Sequence, residues 1–298
     1  MQYHDARLFQ RGPGNDRDGL GRFDMAECNS NCSACGDSAC ADRTAPQTLQ
    51  LHEGTKIKNV IAVASGKGGV GKSLTAAMLA CELRRRGHEV GILDGDITGP
   101  SIPRSFGIHE PPAVDEDGML RPAETKTGIK VVSTNMLTAD EATPFLWRGP
   151  VLNGILTQFY SDINWGELDY LIVDMPPGTG DIPMTVFQQF PLKGVVIATA
   201  PQVLVNMIVE KAIRMTEHMN VPVLGLVENM SYYECPDCGS RHEIFGKSEV
   251  EAIAKSKGID AWACVPMDPK ISAEVDSGNV EDIKGDWLDP IVDKIEAL

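Results

Sequence analysis

The stretch VIAVASGKGGVGKS, Val60–Ser73, joins an apolar run to a glycine-rich loop and then to a Lys-Ser pair that opens a helical pattern. Gly66, Gly71, Lys72 and Ser73 fit G-x-x-x-x-G-K-[ST], the template of a phosphate-binding loop. Glycines let the backbone curl so that successive N–H groups point at phosphate oxygens, and the helix that follows adds a positive dipole end. Lys72 is the residue to reach the β- and γ-phosphates of ATP, and the Ser73 hydroxyl is a ligand for Mg²⁺. The expected nucleotide contacts are Gly66, Lys67, Gly68, Gly69, Val70, Gly71, Lys72, Ser73 and Leu74.

On either side of this loop the pattern alternates strand and helix. Residues 56–64 read as a buried strand, and Lys72 to Arg86 as a helix. Its apolar positions Leu74, Ala77, Met78, Cys81 and Leu83 leave Arg84, Arg85 and Arg86 at the solvent end, where cations suit the helix dipole. Cys81 reads as a buried thiol. Glu89–Leu93 is a second strand, ending in Asp94 and Asp96. Carboxylates at the C-terminal end of a strand stand where open α/β sheets bind ligands. Asp96 is the candidate for orienting the attacking water. Asp94 supports Mg²⁺ or the loop, unless both are turn or cap residues.

Leu168–Asp174 is the next diagnostic strand. An acidic residue closing a buried strand beside a phosphate loop has the character of a Walker B aspartate, which organises Mg²⁺. Gly178 follows Asp174 in a D-x-x-x-G spacing, so its amide can sense the γ-phosphate. Pro176 and Pro177 stiffen that loop everywhere but at the glycine. Further elements are a strand at Ile129–Ser133, a helix over Val151–Tyr160, a strand at Gly194–Thr199, a helix from Pro201-Gln202 to about His218 and a strand at Val223–Val227. Residues 107–128 form a surface excursion and 139–150 a loop with Trp147 and Arg148. Asn229 either reads the adenine edge or caps a turn. Residues 246–257 and about Asp286–Ala297 are helical, with Cys264–Pro269 a strand end and loop between them.

The chain has 298 residues, 42% apolar and 23% charged, with net charge −15. These are globular proportions. The acidity argues against nucleic acid as a partner, because nucleic-acid binding needs a basic patch. No stretch approaches the ~18 apolar residues of a membrane span, so no membrane role is expected. The start, MQYHDARLFQ, lacks an apolar signal core. The expectation is a cytoplasmic protein, in which eight cysteines point to metal or redox chemistry rather than disulfides. Residues 1–55 read as a polar, flexible arm, and 56–298 as one domain. In the arm, Cys28, Cys32, Cys35 and Cys40 fall within 13 residues, a spacing open to an iron–sulfur cluster, to zinc or to no tightly bound metal. The other cluster of thiols is Cys235-Pro-Asp-Cys238. It reads as a zinc knuckle, a redox pair or half of a cluster site. Cys264 and His242 are weak further ligands. Two cysteines per chain become four on a two-fold axis, where one [4Fe–4S] cluster or one zinc completes the count.

The second lysine of the loop, Lys67, makes K-G-G-V-G-K-S resemble the deviant phosphate loop of the MinD, ParA and nitrogenase-iron-protein group. That resemblance implies a lysine crossing a dimer interface to the partner's nucleotide. Taken together in order, the loop, D-G-D-I-T-G-P-S, D-M-P-P-G-T-G-D, E-N-M-S and C-P-x-C resemble the Mrp/ApbC-type iron–sulfur cluster carrier ATPases over about residues 56–298. The resemblance implies a MinD-like α/β fold with a mostly parallel sheet flanked by helices. It also implies a homodimer, and a labile [4Fe–4S] cluster passed to apo iron–sulfur proteins. On this reading Lys67, Lys72, Asp96 and Asp174 act on ATP, with Ser73, Asp96 and Asp174 around Mg²⁺, and Cys235 and Cys238 hold the cluster. The four arm cysteines resemble the extra site of the Nbp-type cytosolic scaffolds, with a much shorter first gap. The competing readings are a MinD/ParA-like positioning ATPase and an ATP-driven electron donor. The acidic tail argues against the membrane-bound form of the first.

Overall fold

A computed structural model describes residues 49–96, 99, 101–109, 113–114, 120–137, 149–178, 180–201 and 205–298. Cys28, Cys32, Cys35 and Cys40, and also Trp147, Arg148 and Gln202, lie outside them, as does part of the expected excursion. Strands β1 Lys56–Ala64, β2 Val90–Asp94, β3 Ala123–Glu124, β4 Lys130–Ser133, β5 Glu167–Asp174, β6 Leu192–Thr199 and β7 Val223–Glu228 are followed by a small hairpin, β8 Tyr233–Glu234 and β9 Arg241–His242, and then by β10 Trp262–Cys264. The main sheet runs β10-β7-β6-β1-β5-β2-β4-β3. It is parallel throughout, apart from β3, which pairs antiparallel with β4. Helices α1 Lys72–Arg85, α2 Ile102–Ser105, α3 Gly149–Ser161, α4 Asp181–Gln189, α5 Val205–His218, α6 Val250–Ser256, α7 Pro269–Asp276 and α8 Asp289–Glu296 cover it.

Both faces of the sheet are buried, which is why its strands read as unbroken apolar runs. The period of two sorts their side chains. Ile61 and Val63 of β1, with Tyr170 and Ile172 of β5, pack into a core with Ala76, Leu79 and Leu83 of α1 and Ile291 and Ile295 of α8. Val60, Ala62 and Ala64, with Leu171 and Val173, pack on the other face with Leu156 and Phe159 of α3 and Val186 of α4. Leu49 and Leu51 pack against this second core, and the Thr55 hydroxyl donates to the Ile163 carbonyl at 3.2 Å. The packed unit therefore reaches back before residue 56.

The arginines closing α1 differ from the solvent-facing end expected. Arg84 donates to the Thr127 carbonyl at 2.7 Å and Arg85 to the carbonyls of Glu281 and Ile283. Arg86 reaches three carboxylates on α8: Asp289 at 2.9 Å, Asp293 at 2.6 Å and Glu296 at 2.7 Å. The last turn of α1 and its C-cap meet the C-terminal segment, which supplies the acceptors of Arg85 and Arg86. Helices α4 and α7 add to the elements expected from the sequence, and the expected loop around Cys235 and Cys238 is the β8–β9 hairpin. Among the described residues no helix is long and apolar enough to cross a membrane.

Candidate functional site

Strand register builds the site. Asp94 at the end of β2 stands level with Asp174 at the end of β5, and Val63 of β1 is level with Asp174 on its other side. The chain leaving β1 therefore turns over two carboxylates. Gly71, at φ +83, makes the last turn of the loop and hands it to α1. The loop crest at Lys67, Gly68 and Gly69 is exposed, whereas Val70 and Lys72 are buried.

Lys72 is only 6% exposed, with Nζ 2.6 Å from Asp174 Oδ1 and 3.5 Å from Asp96 Oδ2. It also lies 3.3 Å from Ser73 Oγ. The buried cation is compensated by these two carboxylates. Asp174 has no exposed surface. Burial pushes its carboxyl above the ordinary range, against the opposing charge of Lys72 and hydrogen bonds from Lys72 and Ser73. Its second oxygen, Oδ2, is buried and accepts no hydrogen bond.

Asp94 has a narrower task than the sequence allowed. Oδ1 accepts the Asp96 amide at 3.2 Å, and Oδ2 accepts the Ile102 amide at 3.3 Å and the Ser133 hydroxyl at 3.1 Å. It ties both ends of the loop after β2 to the end of β4 and so positions Asp96. Burial, and next the charge of Asp174, push its carboxyl up to about 7.

Gly178 lies across from the phosphate loop at φ +90, and its amide donates to the Ser65 carbonyl at 2.9 Å. The amide expected at the γ-phosphate is engaged by loop backbone in this state. Asn229 is drawn under the loop instead of out toward a base. Its amide nitrogen donates to the Val70 carbonyl at 3.2 Å, while its backbone N–H donates to Thr199 at 2.8 Å. Sequence reasoning missed Ser65, whose buried hydroxyl has no partner, and Ser133. Register with Asp94 was the signal that could have found Ser133.

Cys235 and Cys238 sit on the turn between β8 and β9. The Cys235 amide donates to Ser240 O at 2.9 Å and the Gly239 amide to Cys235 O at 2.8 Å. Cys238 is exposed and Cys235 half-buried. Cys238 Sγ lies 3.3 Å from the Ser240 hydroxyl. Hydrogen bonds from the Ser240 side chain, then from its backbone, lower the Cys238 thiol below its ordinary value, which favours the thiolate that binds metals. Replacing Ser240 by Ala is expected to move the pH midpoint of Cys238 alkylation upward, read by mass spectrometry of iodoacetamide-treated protein. An unmoved midpoint refutes the assignment. Cys264 ends β10, with Ser248 Oγ 3.9 Å from its sulfur. His242 pairs across the hairpin with Tyr233. Among the described residues no group of three or more His, Cys, Asp or Glu side chains is placed to hold a metal, so neither joins the two hairpin thiols in such a set.

The family model described as ParA, NUBPL iron-transfer P-loop NTPase, matches residues 56–295. An iron–sulfur cluster carrier protein of Clostridium perfringens is 45% identical over 270 residues, covering 87% of this chain and 94% of the relative. One from Methanocaldococcus jannaschii is 41% identical over 260 residues, 85% and 90% of the two chains. Among solved structures, a nucleotide-binding protein of Archaeoglobus fulgidus in complex with ADP aligns with TM-score 0.70 at 43% identity, covering 78% of this chain and 91% of that one. The cell division ATPase MinD of Pyrococcus furiosus, at 20% identity, TM-score 0.59 and coverage of 80% and 98%, shares the fold. With a lysine and two carboxylates gathered under a phosphate loop and a dithiol hairpin on the same chain, the protein belongs to the NUBPL iron-transfer P-loop NTPases and is an ATPase of the iron–sulfur cluster carrier family.

Proposed function

We propose that the protein binds a [4Fe–4S] cluster between the Cys235 and Cys238 pairs of two copies, and hands it to apo iron–sulfur proteins under the control of ATP. The observation that carries this reading is the hairpin with two thiols and no third ligand among the described residues, on a chain whose relatives are named cluster carriers. Thiolates are soft ligands suited to such a cluster. Transfer is then ligand exchange, the recipient's thiolates replacing these four.

At the nucleotide end, Lys72 turns from Asp174 to the β- and γ-phosphates, and Lys67 from its exposed crest reaches the partner's nucleotide. The residues present fit Mg²⁺: Asp174 offers a buried oxygen with no partner, and Ser73 and Asp96 lie beside Lys72. Held by these residues, Mg²⁺ would supply positive charge to offset the negative charge developing on the phosphates. Asp96, held by Asp94, orients the attacking water. The Gly178 amide exchanges Ser65 for the γ-phosphate, so the two loops report nucleotide state to the dimer. Cys28, Cys32, Cys35 and Cys40 form a second cluster site on the 1–55 arm.

Anaerobic reconstitution tests this, with iron, zinc and Mössbauer measurements on wild type and on Cys235→Ala/Cys238→Ala. The expected result is loss of one [4Fe–4S] cluster per two chains and loss of transfer to an apo-acceptor, with ADP binding retained. Zinc in place of iron, or transfer unaffected by the double substitution, rejects the reading.

A further inference from the structure

Ile244 and Phe245 follow β9 and are 55% and 45% exposed. Their turn is closed by the Ile244 amide on His242 O and the Gly246 amide on Glu243 O, both at 3.2 Å. The pair is thus held at the foot of the hairpin that carries Cys235 and Cys238. Beside it lies a groove of about 590 Å³, its wall formed by Tyr232, Arg241, His242, Ile244, Ser248 and Cys264 among others. Single exposed apolar residues are ordinary; here two adjacent ones stand together beside a groove.

The ligand count says what docks there. Two thiols are present and no third ligand joins them among the described residues, while a [4Fe–4S] centre takes four. Among the described residues the site is incomplete without a second copy. A two-fold contact is isologous, so a projection and the groove that receives it must share one surface of one chain. The apolar pair and the groove meet that condition. The cation of the groove is already engaged: Arg241 Nε lies 3.1 Å from Glu234, and its guanidinium stacks 4.4 Å over the Tyr232 ring, while the Glu243 carboxylate also lines the wall. Covering the groove therefore strands no unpaired cation.

We propose that Ile244 and Phe245 of each copy seat in the groove beside Cys264 of a second copy, setting the two dithiol hairpins face to face. This rests on the bridging-cluster reading above, and adds to it the contact that holds the bridge in register and excludes water from it.

The test is analytical ultracentrifugation of the full chain, anaerobically reconstituted, with iron counted on the same samples. Wild type is compared with Ile244→Ser/Phe245→Ser, with Val114→Ser as a control at another exposed apolar residue, 57% exposed. ADP binding monitors folding. The expected result is dimerisation weakened on the order of tenfold or more in the double variant, with iron lost in step although Cys235 and Cys238 are intact, and no change in the control. A double variant that dimerises like wild type overturns the contact, including the case in which only transfer to an apo-acceptor fails, which would assign the patch to the recipient. A wild type that is monomeric in every state also overturns it. Weakened dimerisation in a protein whose iron does not depend on Cys235 and Cys238 supports the contact while rejecting the bridging cluster. Unchanged dimerisation with iron at those cysteines does the reverse.

Discussion

Replacing Lys72 by Ala is expected to reduce ATP hydrolysis by about 10³-fold or more, the scale on which positioned cations act in phosphoryl transfer. The same substitution changes the nucleotide-free protein. Lys72 Nζ is the cation 2.6 Å from Asp174, and its charge also lowers the buried Asp94. Without it the two neighbouring carboxylates face each other across β2 and β5. Removing one partner of a buried pair ordinarily costs about 3–5 kcal/mol. Here the carboxyls are already raised by burial and protonate instead, so a smaller loss of roughly 1–3 kcal/mol is expected. The sign with pH follows. A carboxyl whose folded value is raised binds more protons folded than unfolded, so stability falls as pH rises through the window between the two values. For Asp94 that window runs from 3.8 to about 7, and loss of Lys72 extends it upward. The melting deficit of Lys72→Ala should therefore be larger above neutral pH than below it. A deficit that grows on acidification contradicts this account, as does retained hydrolysis.

Gly71→Ala should be almost as damaging for a different reason. At φ +83 a Cβ is strained, and here it would also stand 1.9 Å from Asn229 Nδ2 and 2.9 Å from Asn229 Cγ. Asn229 cannot simply swing aside, since its side chain holds the Val70 carbonyl and its amide the Thr199 carbonyl. Left-handed strain costs about 1–2 kcal/mol and the overpacking about 1–3 more. We expect ADP affinity to fall by roughly 100-fold or more, the scale of about 3 kcal/mol. Adding Asn229→Ala removes the clash but not the strain, so the double variant should recover part of the melting temperature and only part of the affinity. Wild-type ADP binding by Gly71→Ala, measured by calorimetry, would sink the argument.

The strands were legible because a parallel strand buried on both faces must be apolar along its length, as Ile61–Ala64 and Leu171–Val173 are. Helix α1 was legible because the phosphate loop fixes where it starts. Short elements were not. The two-residue strands of the hairpin are too brief to show alternation. Helix α7 had its signals in plain view, Asp268 capping the Lys270 amide at 2.8 Å and a proline in the first turn, but only eight residues of pattern to follow them. In the site, Lys72 and Asp174 were read from motif and lie together. The jobs of Asp94 and Asn229 were not readable, because they are set by groups distant in sequence. Ser133 meets Asp94 from 39 residues away, and Val70 meets Asn229 from 159 away. The Gly178–Ser65 bond belongs to the same class.

The clamp of Arg86 on α8 bears on what that helix is free to do. Ile291, Val292 and Ile295 have no exposed surface, and on its other side Asp289, Asp293 and Glu296 are engaged by Arg86, with His88 also on Glu296 at 2.7 Å. An amphipathic helix can bind a lipid surface only by offering its apolar stripe. Lifting this one off would uncover three aliphatic side chains at about 1.5–3 kcal/mol each, an amount comparable with the whole of a domain's stability, about 5–15 kcal/mol. For α8, release to a bilayer and unfolding of the domain are nearly the same event.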